Sequence, residues 1–350
     1  MSVAVLGAGI MGVCAALELA DRGQQVTLID RQAAPLQEAS LHNEGKIHLG
    51  FVWAADPTFR TAQWMLDGAS RFGEVLERWI PSATLRALRT EPFDYVVRHD
   101  SMLTVDAIDR FYARLTSAID DRRATAPFIA MAPDRPVARR LSSSELEQRY
   151  DPRTVASAYE TCEVSFDPHG IAEALRAALN AHPAITVLAG TTVDRVDEAG
   201  RGSTVEATSV DGAPVRIGPV DCVVNCLWAN RPAVDIRSGA NAPSPQWMVR
   251  SKLGVSLFDP AARVRSVTAV LGPFGDIVVY PAGRVYLSWY PDCMFAHTFG
   301  HHDRQWSVDG VDLAAVAERT IAALAGMVPA AAGLRREQLT VRGGFICARA

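Results

Sequence analysis

The stretch SVAVLGAGIMGVCAALELADRGQQVTLIDR, from Ser2 to Arg31, constrains the fold more than any other part of the chain. A short apolar run, Val3 to Leu6, leads into Gly7-Ala8-Gly9-Ile10-Met11-Gly12. Ile10, Val13, Cys14 and Leu17 then recur at helical spacing until Gly23, and Gln25 to Ile29 reads as a second strand ending on Asp30. Strand, glycine turn, helix, strand and acid, in that order, are the parts of a dinucleotide-binding unit. Gly7 permits the tight turn, Gly9 lets the backbone approach a pyrophosphate, and Gly12 lets the helix pack closely on the sheet. The free N–H groups at the helix start, around Ile10 and Met11, together with the helix dipole, favour phosphate. Asp30 is suited to accept hydrogen bonds from both ribose hydroxyls, with Arg31 beside it. An acid here argues against the 2′-phosphate of NADP. FAD and NAD remain open on these residues alone.

Composition removes other classes of answer. With 350 residues, 49% apolar and 21% charged, the chain is expected to form one large or two interleaved domains able to enclose a sizeable cofactor. A net charge of -4 and a pI near 6.1 give no electrostatic reason to bind nucleic acid or an anionic membrane surface. Small molecules are the expected partners. The six cysteines include no CxxC pair, and Cys222 and Cys226 read as core thiols on a strand, so a reducing cytoplasm is expected. The start MSVAVLGAGIMG lacks the basic region of an export leader, and no run reaches the roughly 18 apolar residues of a membrane helix.

After Asp30 the chain does not repeat the strand–helix alternation expected of a simple NAD dehydrogenase. It continues as RQAAPLQEASLHNEGKIHLGF, polar and irregular. The combination resembles the D-amino acid oxidase superfamily of FAD-dependent oxidoreductases, which includes glycine oxidase, sarcosine oxidase and dimethylglycine dehydrogenase. That resemblance implies FAD, with Ser40, His42, Asn43 and Gly45 in a loop lying against the isoalloxazine ring. It also implies an α/β fold in which a Rossmann-type FAD-binding domain is interleaved with an antiparallel-sheet substrate domain, as in glutathione reductase and p-hydroxybenzoate hydroxylase. ITVLAGTTVDRVDE resembles the strand whose valine, Val193, contacts the adenine side, and DCVVNCLWAN the strand returning beneath the FAD.

The expected division is 1–83, 146–233 and 310–350 for the FAD domain, and 84–145 and 234–309 for the substrate domain. Ser142 and Glu145 are spaced as a capping box, and Ile171, Leu175 and Leu179 form a helix stripe. VDAIDRFYARLTSAIDDR puts Ile108, Phe111, Leu115 and Ile119 on one helical face. Gln246 to Phe258 alternates, GDIVVYPAGRVYLSWY reads as a hairpin, residues 309–334 are helical, and QLTVRGGFICARA is expected to start a last strand of the FAD domain.

The candidate chemistry follows from the same resemblance. His42 occupies the position through which some members attach FAD covalently; a non-covalent histidine beside the flavin is the other reading. Lys46 falls where members place a cation over the ring, and its plain alternative is a solvated loop lysine. His48 is a candidate to face substrate. Relatives often anchor a substrate carboxylate with an arginine in a late Gly-Leu-Arg-Pro stretch; here Gly344-Phe345-Ile346-Cys347 stands instead, so Arg250 or Lys252 is expected to take over. Tyr280, Tyr286, Trp289 and Tyr290 lie on the hairpin that faces the flavin in the family. His42, Glu44 and His48 lack the rigid spacing of a metal site, and no metal is expected.

The expected activity is oxidation of the C–N bond of an amine or amino acid by hydride transfer to flavin, with oxygen or another acceptor reoxidising it. The alternatives are a flavoenzyme acting on a non-amine biosynthetic intermediate, or a flavin-binding protein left inactive by truncation at Ala350, where members of the family continue.

Overall fold

The computed structural model describes residues 1–125, 128–200, 202–241 and 247–349. Gln246, where the alternating strand was expected to begin, and Ala350 lie outside them. Val3 to Leu6 are apolar at every position because β1 (Ser2–Leu6) is covered on both faces, and all four are buried. The helix α1 (Ile10–Asp21) connects β1 to β2 (Gln25–Ile29) and buries Gly12, Val13, Ala16, Leu17 and Ala20. Gly23, at φ +80°, stops α1, donating to the Ala20 carbonyl at 2.8 Å while Gln24 N–H reaches Leu19 O at 3.1 Å. The four-stranded parallel sheet runs Cys222–Asn225, β1, β2, Ile185–Leu188, so the return strand lies beside β1 as the sequence suggested.

One detail of α1 differs from the expected stripe. Ile10 is 37% exposed and Cys14 only half-buried. The helix starts beyond the carboxyl edge of the sheet, so Ile10 and Met11 face a cleft while Val13 already packs in the core.

A second sheet, nine-stranded among the described residues, runs Met294–Phe299, Trp247–Phe258, Arg284–Trp289, Gly275–Val279, Val267–Val270, Asp94–Arg98, Val155–Thr161, Ala138–Arg140. Thr340–Arg349 pairs along Trp247–Phe258. The pairings are antiparallel except between Val267–Val270 and Asp94–Arg98. The hairpin Gly275–Val279 to Arg284–Trp289 forms as read, closed by Gly283 N–H on Tyr280 O at 3.0 Å. A three-stranded meander, Thr191–Ala199, Gly202–Ser209 and Pro214–Val220, forms a separate sheet that packs Val193, Val205 and Val220 against Ala4, Leu6 and Ile29 of the parallel sheet.

Two strands change sides relative to the expected boundaries. Val155–Thr161 and Thr340–Arg349 fall in segments assigned by sequence to the FAD domain, yet both belong to the large sheet. For the last strand the reason is local. Gly343 and Gly344 carry no side chain where a Cβ would sit 2.1 Å from Lys252 O and 2.9 Å from Ala39, so the strand can close onto its neighbour.

Three helices form for legible reasons, and of these Pro168–Ala181 borders the cleft described below. Ser142 and Glu145 make both bonds of a capping box on Ser143–Arg149. Asp167 caps Pro168–Ala181 by accepting His169 N–H at 2.9 Å, and Ile171, Leu175 and Leu179 bury its apolar face. In Val105–Thr125, Ile108, Leu115 and Ile119 are fully buried and Phe111 half-buried.

Candidate functional site

Between the carboxyl edge of the parallel sheet and the loop after β2 lies a cleft of about 380 Å³, a size typical of ligand sites. Gly7, Gly9, Ile10, Met11, Asp30, Arg31, Ser40, Asn43, Gly45, Lys46 and Val193 all line it.

The glycines differ in what they do. Gly7 takes φ +93°, and a Cβ there would lie 2.7 Å from Cys226 O. A Cβ on Gly12, which is buried behind the cleft, would lie 1.8 Å from Gly7 O, so its absence serves the fold. At Gly9, among the described residues and apart from the adjoining backbone, a built Cβ would meet Ser40 Oγ alone within 4 Å, at 3.2 Å. Gly9 therefore opens onto the cleft. It is also the N-cap of α1, with no side-chain cap of its own and no acid in the first turn. Ile10 N–H is the exception, donating to Ser40 Oγ at 3.0 Å.

Asp30 closes the far side. Its carboxylate accepts Ala8 N–H at 2.6 Å and Gln32 N–H at 2.8 Å, tying the end of β2 to the glycine turn. Burial raises its pKa against the pull of those two amides. Arg31 is already engaged, with Glu38 at 2.9 Å and with the Arg304 carbonyl at 2.9 Å. It orders the loop rather than presenting a free cation.

The loop itself is pinned from within. Asn43 donates to Ala39 O at 2.9 Å and accepts Gly45 N–H at 2.6 Å. Gly45, at φ +60°, would place a Cβ 1.9 Å from Phe166 O, and its own carbonyl accepts Phe166 N–H at 2.9 Å. His42 lies outside this cleft. It lines an adjoining polar cleft of about 810 Å³ together with Arg304 and Arg342. Burial first, then the Arg342 charge, lowers its pKa.

Of the expected catalytic residues, Lys46, His48 and Tyr280 stand within electrostatic reach of Glu44, and Arg250 stands apart from them. Lys46 has its side chain sealed inside, 1% exposed, with Nζ bonded to Thr268 Oγ1, 3.3 Å from Asp276 Oδ2 and 4.4 Å above the Phe93 ring. It is neither solvated nor free. His48 Nδ1 lies 3.6 Å from buried Glu163, whose carboxylate already accepts Leu49 N–H at 2.6 Å and the Tyr95 hydroxyl. Arg250 stands opposite His297 and Ile346 on the large sheet and borders neither cleft. Tyr280 is buried, donates to Asn43 O at 3.4 Å, and has its pKa carried well above the ordinary value by burial. It supports the loop from behind.

Sequence reasoning missed Trp228. It holds φ +51°, is 53% exposed, lines the cleft and donates from Nε1 to Phe345 O at 2.8 Å. A bulky residue in the left-handed region is a strained position of the kind that collects at ligand sites. Sequence carries no signal for that backbone angle. Among the described residues no group of three or more His, Cys, Asp or Glu gathers as a metal site, and no helix is long and apolar enough to cross a membrane.

The family described as FAD dependent oxidoreductase matches residues 2–349. D-amino acid dehydrogenase from Rhizobium rhizogenes is 47% identical over 57 residues, 16% of this chain and 14% of that protein, so the match spans a small part of either. Glycine oxidase from Geobacillus kaustophilus shares the fold at TM-score 0.68 and 19% identity, covering 99% of this chain and 82% of that one. L-Proline dehydrogenase from P. horikoshii does so at TM-score 0.66 and 15% identity, covering 98% and 80%.

Proposed function

The chain belongs to the FAD dependent oxidoreductase family, and on that premise we propose that it binds FAD in the cleft at Gly9 and oxidises the C–N bond of an amine or amino acid. The observation that carries this reading is the open face of Gly9 at a helix start that has no side-chain cap of its own and takes only the Ser40 hydroxyl from the loop, with Asp30 across from it. A pyrophosphate would take the amides of the first turn, and the ribose hydroxyls would take the remaining lone pairs of Asp30. Val193 would bound the adenine end, and Asn43 and Gly45 would lie against the ring system.

FAD, when bound, supplies an acceptor for the two electrons that leave the substrate carbon as hydride. The chain's own part is to orient the substrate, exclude water and set the electrostatics, so no strong side-chain base is required. The C=N product is left to hydrolyse in water, and oxygen or another acceptor takes up the electrons. The names of the matched relatives, D-amino acid dehydrogenase, glycine oxidase and L-proline dehydrogenase, support a small amine or amino acid as substrate. Six free cysteines and a net charge of -4 fit a reducing cytoplasm and small-molecule partners.

The test is anaerobic. The FAD-loaded chain is mixed with a panel of amines and with D- and L-amino acids, and the visible flavin bands are followed. Bleaching by at least one of them is expected. Bands that stay unchanged with every amine but fade with an alcohol or hydroxy acid would overturn C–N oxidation.

A further inference from the structure

The polar cleft that adjoins the cleft at Gly9 holds more positive charge than the chain itself matches. Arg31, Arg237, Arg304 and Arg342 line it against Glu38, Asp194 and Asp303. Arg31 pairs with Glu38 at 2.9 Å and Arg237 with Asp303, while Asp194 takes the Thr208 hydroxyl at 2.8 Å. Among the described residues neither Arg304 nor Arg342 has a carboxylate within 4.0 Å. Both stand apart from the cleft at Gly9.

Arg342 is exposed, so water can serve it. Arg304 is only 7% exposed. An arginine is seldom buried without an acid, because burial strips its hydration and only charge-assisted bonds offset the loss. Three of its five N–H groups are in use. Nη1 donates to Thr298 Oγ1 and to His302 Nε2 at 3.3 Å, and Nη2 to Gly300 O at 3.1 Å. None of these acceptors is a carboxylate. Nε–H has no partner and one N–H of Nη2 is left over. Nε and Nη2 form the edge of the guanidinium that binds an oxyanion through two parallel bonds, and the unmet Nε–H marks the side where a partner is missing.

The residue is nevertheless firmly placed. Its backbone N–H donates to Asn230 Oδ1 at 2.8 Å, and its carbonyl accepts Asn230 Nδ2 at 3.1 Å and Arg31 Nη1 at 2.9 Å. Backbone ordered before a ligand arrives lowers the cost of binding one. Two unmatched cations call for a group with two negative charges. A carboxylate carries one and leaves the other arginine unmatched. A phosphate group carries about -1.5 to -2 at neutral pH and offers three acceptor oxygens.

We propose that the polar cleft is an anion site separate from the cleft at Gly9, in which Arg304, through Nε and Nη2, and Arg342 take the oxygens of a phosphate group. The site does not depend on the C–N oxidation reading. His42 lines the same cleft and reports on it. Burial, then Arg342 and Arg284, lower the His42 pKa, with Glu38 working the other way. A dianion bound to Arg342 offsets that cation and raises it.

The test is calorimetric titration of inorganic phosphate into the chain with and without FAD, with acetate as the single-charge probe and phenyl phosphate as a monoester. Phosphate is expected to bind both forms, at least about 10-fold more tightly than acetate. R304K keeps the charge, loses the fork and is expected to weaken phosphate about 10-fold or more. R342Q removes an exposed side chain and is expected to weaken it about 3- to 10-fold, which keeps the comparison readable if R304K fails to fold. R153Q, at an exposed arginine paired with Asp151 elsewhere, is expected to change nothing. By NMR, the imidazole resonance missing from H42N should titrate at higher pH with phosphate bound, and in R342Q without it. Tighter binding of phenyl phosphate than of phosphate assigns the site to a phosphate-bearing organic molecule, and the reverse assigns it to free phosphate. Phosphate binding that FAD abolishes would put the anion at the FAD pyrophosphate and overturn the proposal. So would equal weakening by R153Q, unchanged affinity in R304K and R342Q, or no binding of either phosphate. A chain that takes up no FAD yet binds phosphate as expected sinks the flavin reading and leaves this site standing.

Discussion

The hydroxyl of Ser40 accepts the backbone N–H of Ile10 at 3.0 Å, so the loop after β2 reaches back to cap the helix whose glycine start faces the cleft. Ser40→Ala removes that acceptor. Loss of such a cap costs about 0.5–2 kcal/mol, and urea unfolding of the FAD-free chain is expected to register a decrease of that size. An unaltered midpoint and slope would mean the contact contributes nothing to the loop's position.

Gly12→Ala is expected to act on the fold itself. Its new Cβ would meet Gly7 O at 1.8 Å, forcing α1 away from β1. Overpacking of this kind costs about 1–3 kcal/mol. Thermal unfolding without FAD should reveal it, and a wild-type midpoint would contradict the close approach of helix and turn.

Asp30→Ala should weaken FAD binding by about 1–3 kcal/mol, the range for a lost hydrogen bond to a charged group. Fluorescence titration of flavin into the variant measures it. Equal affinity in variant and wild type would remove Asp30 from the ribose.

Lys46→Met breaks a buried ion pair and leaves Asp276 with the Ser288 hydroxyl, at 2.7 Å, as its one remaining hydrogen-bond partner among the described residues. Removing one member of such a pair costs about 3–5 kcal/mol. Denaturant unfolding of K46M beside the double variant K46M/D276N should give the larger loss in the single variant. The reverse order would mean that the pair is not sealed from solvent.

Glu44 predicts a pH dependence. Its carboxyl, although burial would raise it, is held by Lys252 and Lys46 at about 2, below the ordinary 4.5. A carboxyl lower in the folded chain than in the unfolded one stabilises the fold above the unfolded pKa and loses that contribution as pH falls toward the folded value. The stability difference between wild type and E44Q should therefore be largest near neutrality and shrink as pH drops from about 4.5 toward about 2. A difference that holds constant over that window in denaturant titrations would contradict the assignment.

How far these features were legible in the sequence depended on distance along the chain. The turn at Gly7 and the stop at Gly23 are local, and their backbone angles and bonds agree with the reading; Asp30 ends its strand tied to the glycine turn. Ile10 was misjudged because helical spacing says which residues share a face and not where the face ends; the first turn overhangs the sheet. Lys46 could not be recognised as buried, since its partners Thr268 and Asp276 lie 222 and 230 residues away. The last strand forms in the segment where it was expected, but nothing in its own sequence names Trp247–Phe258 as its neighbour. Arg250 and Lys252 were equally plausible anchors on one strand; the folded chain brings the Lys252 charge to bear on Glu44 and sets neither residue on the two clefts.

The central claim is that the cleft at Gly9 holds FAD, and one measurement tests it most directly. Wild type and G9L are incubated with FAD, freed of excess by gel filtration, and their visible spectra recorded before and after acid precipitation. Flavin bands retained by wild type, absent from G9L and released into the acid supernatant are the predicted result, because a side chain at Gly9 fills the pyrophosphate's place and His42 stands outside the cleft. A colourless wild type, or equal retention by G9L with an unchanged unfolding midpoint, would contradict the account.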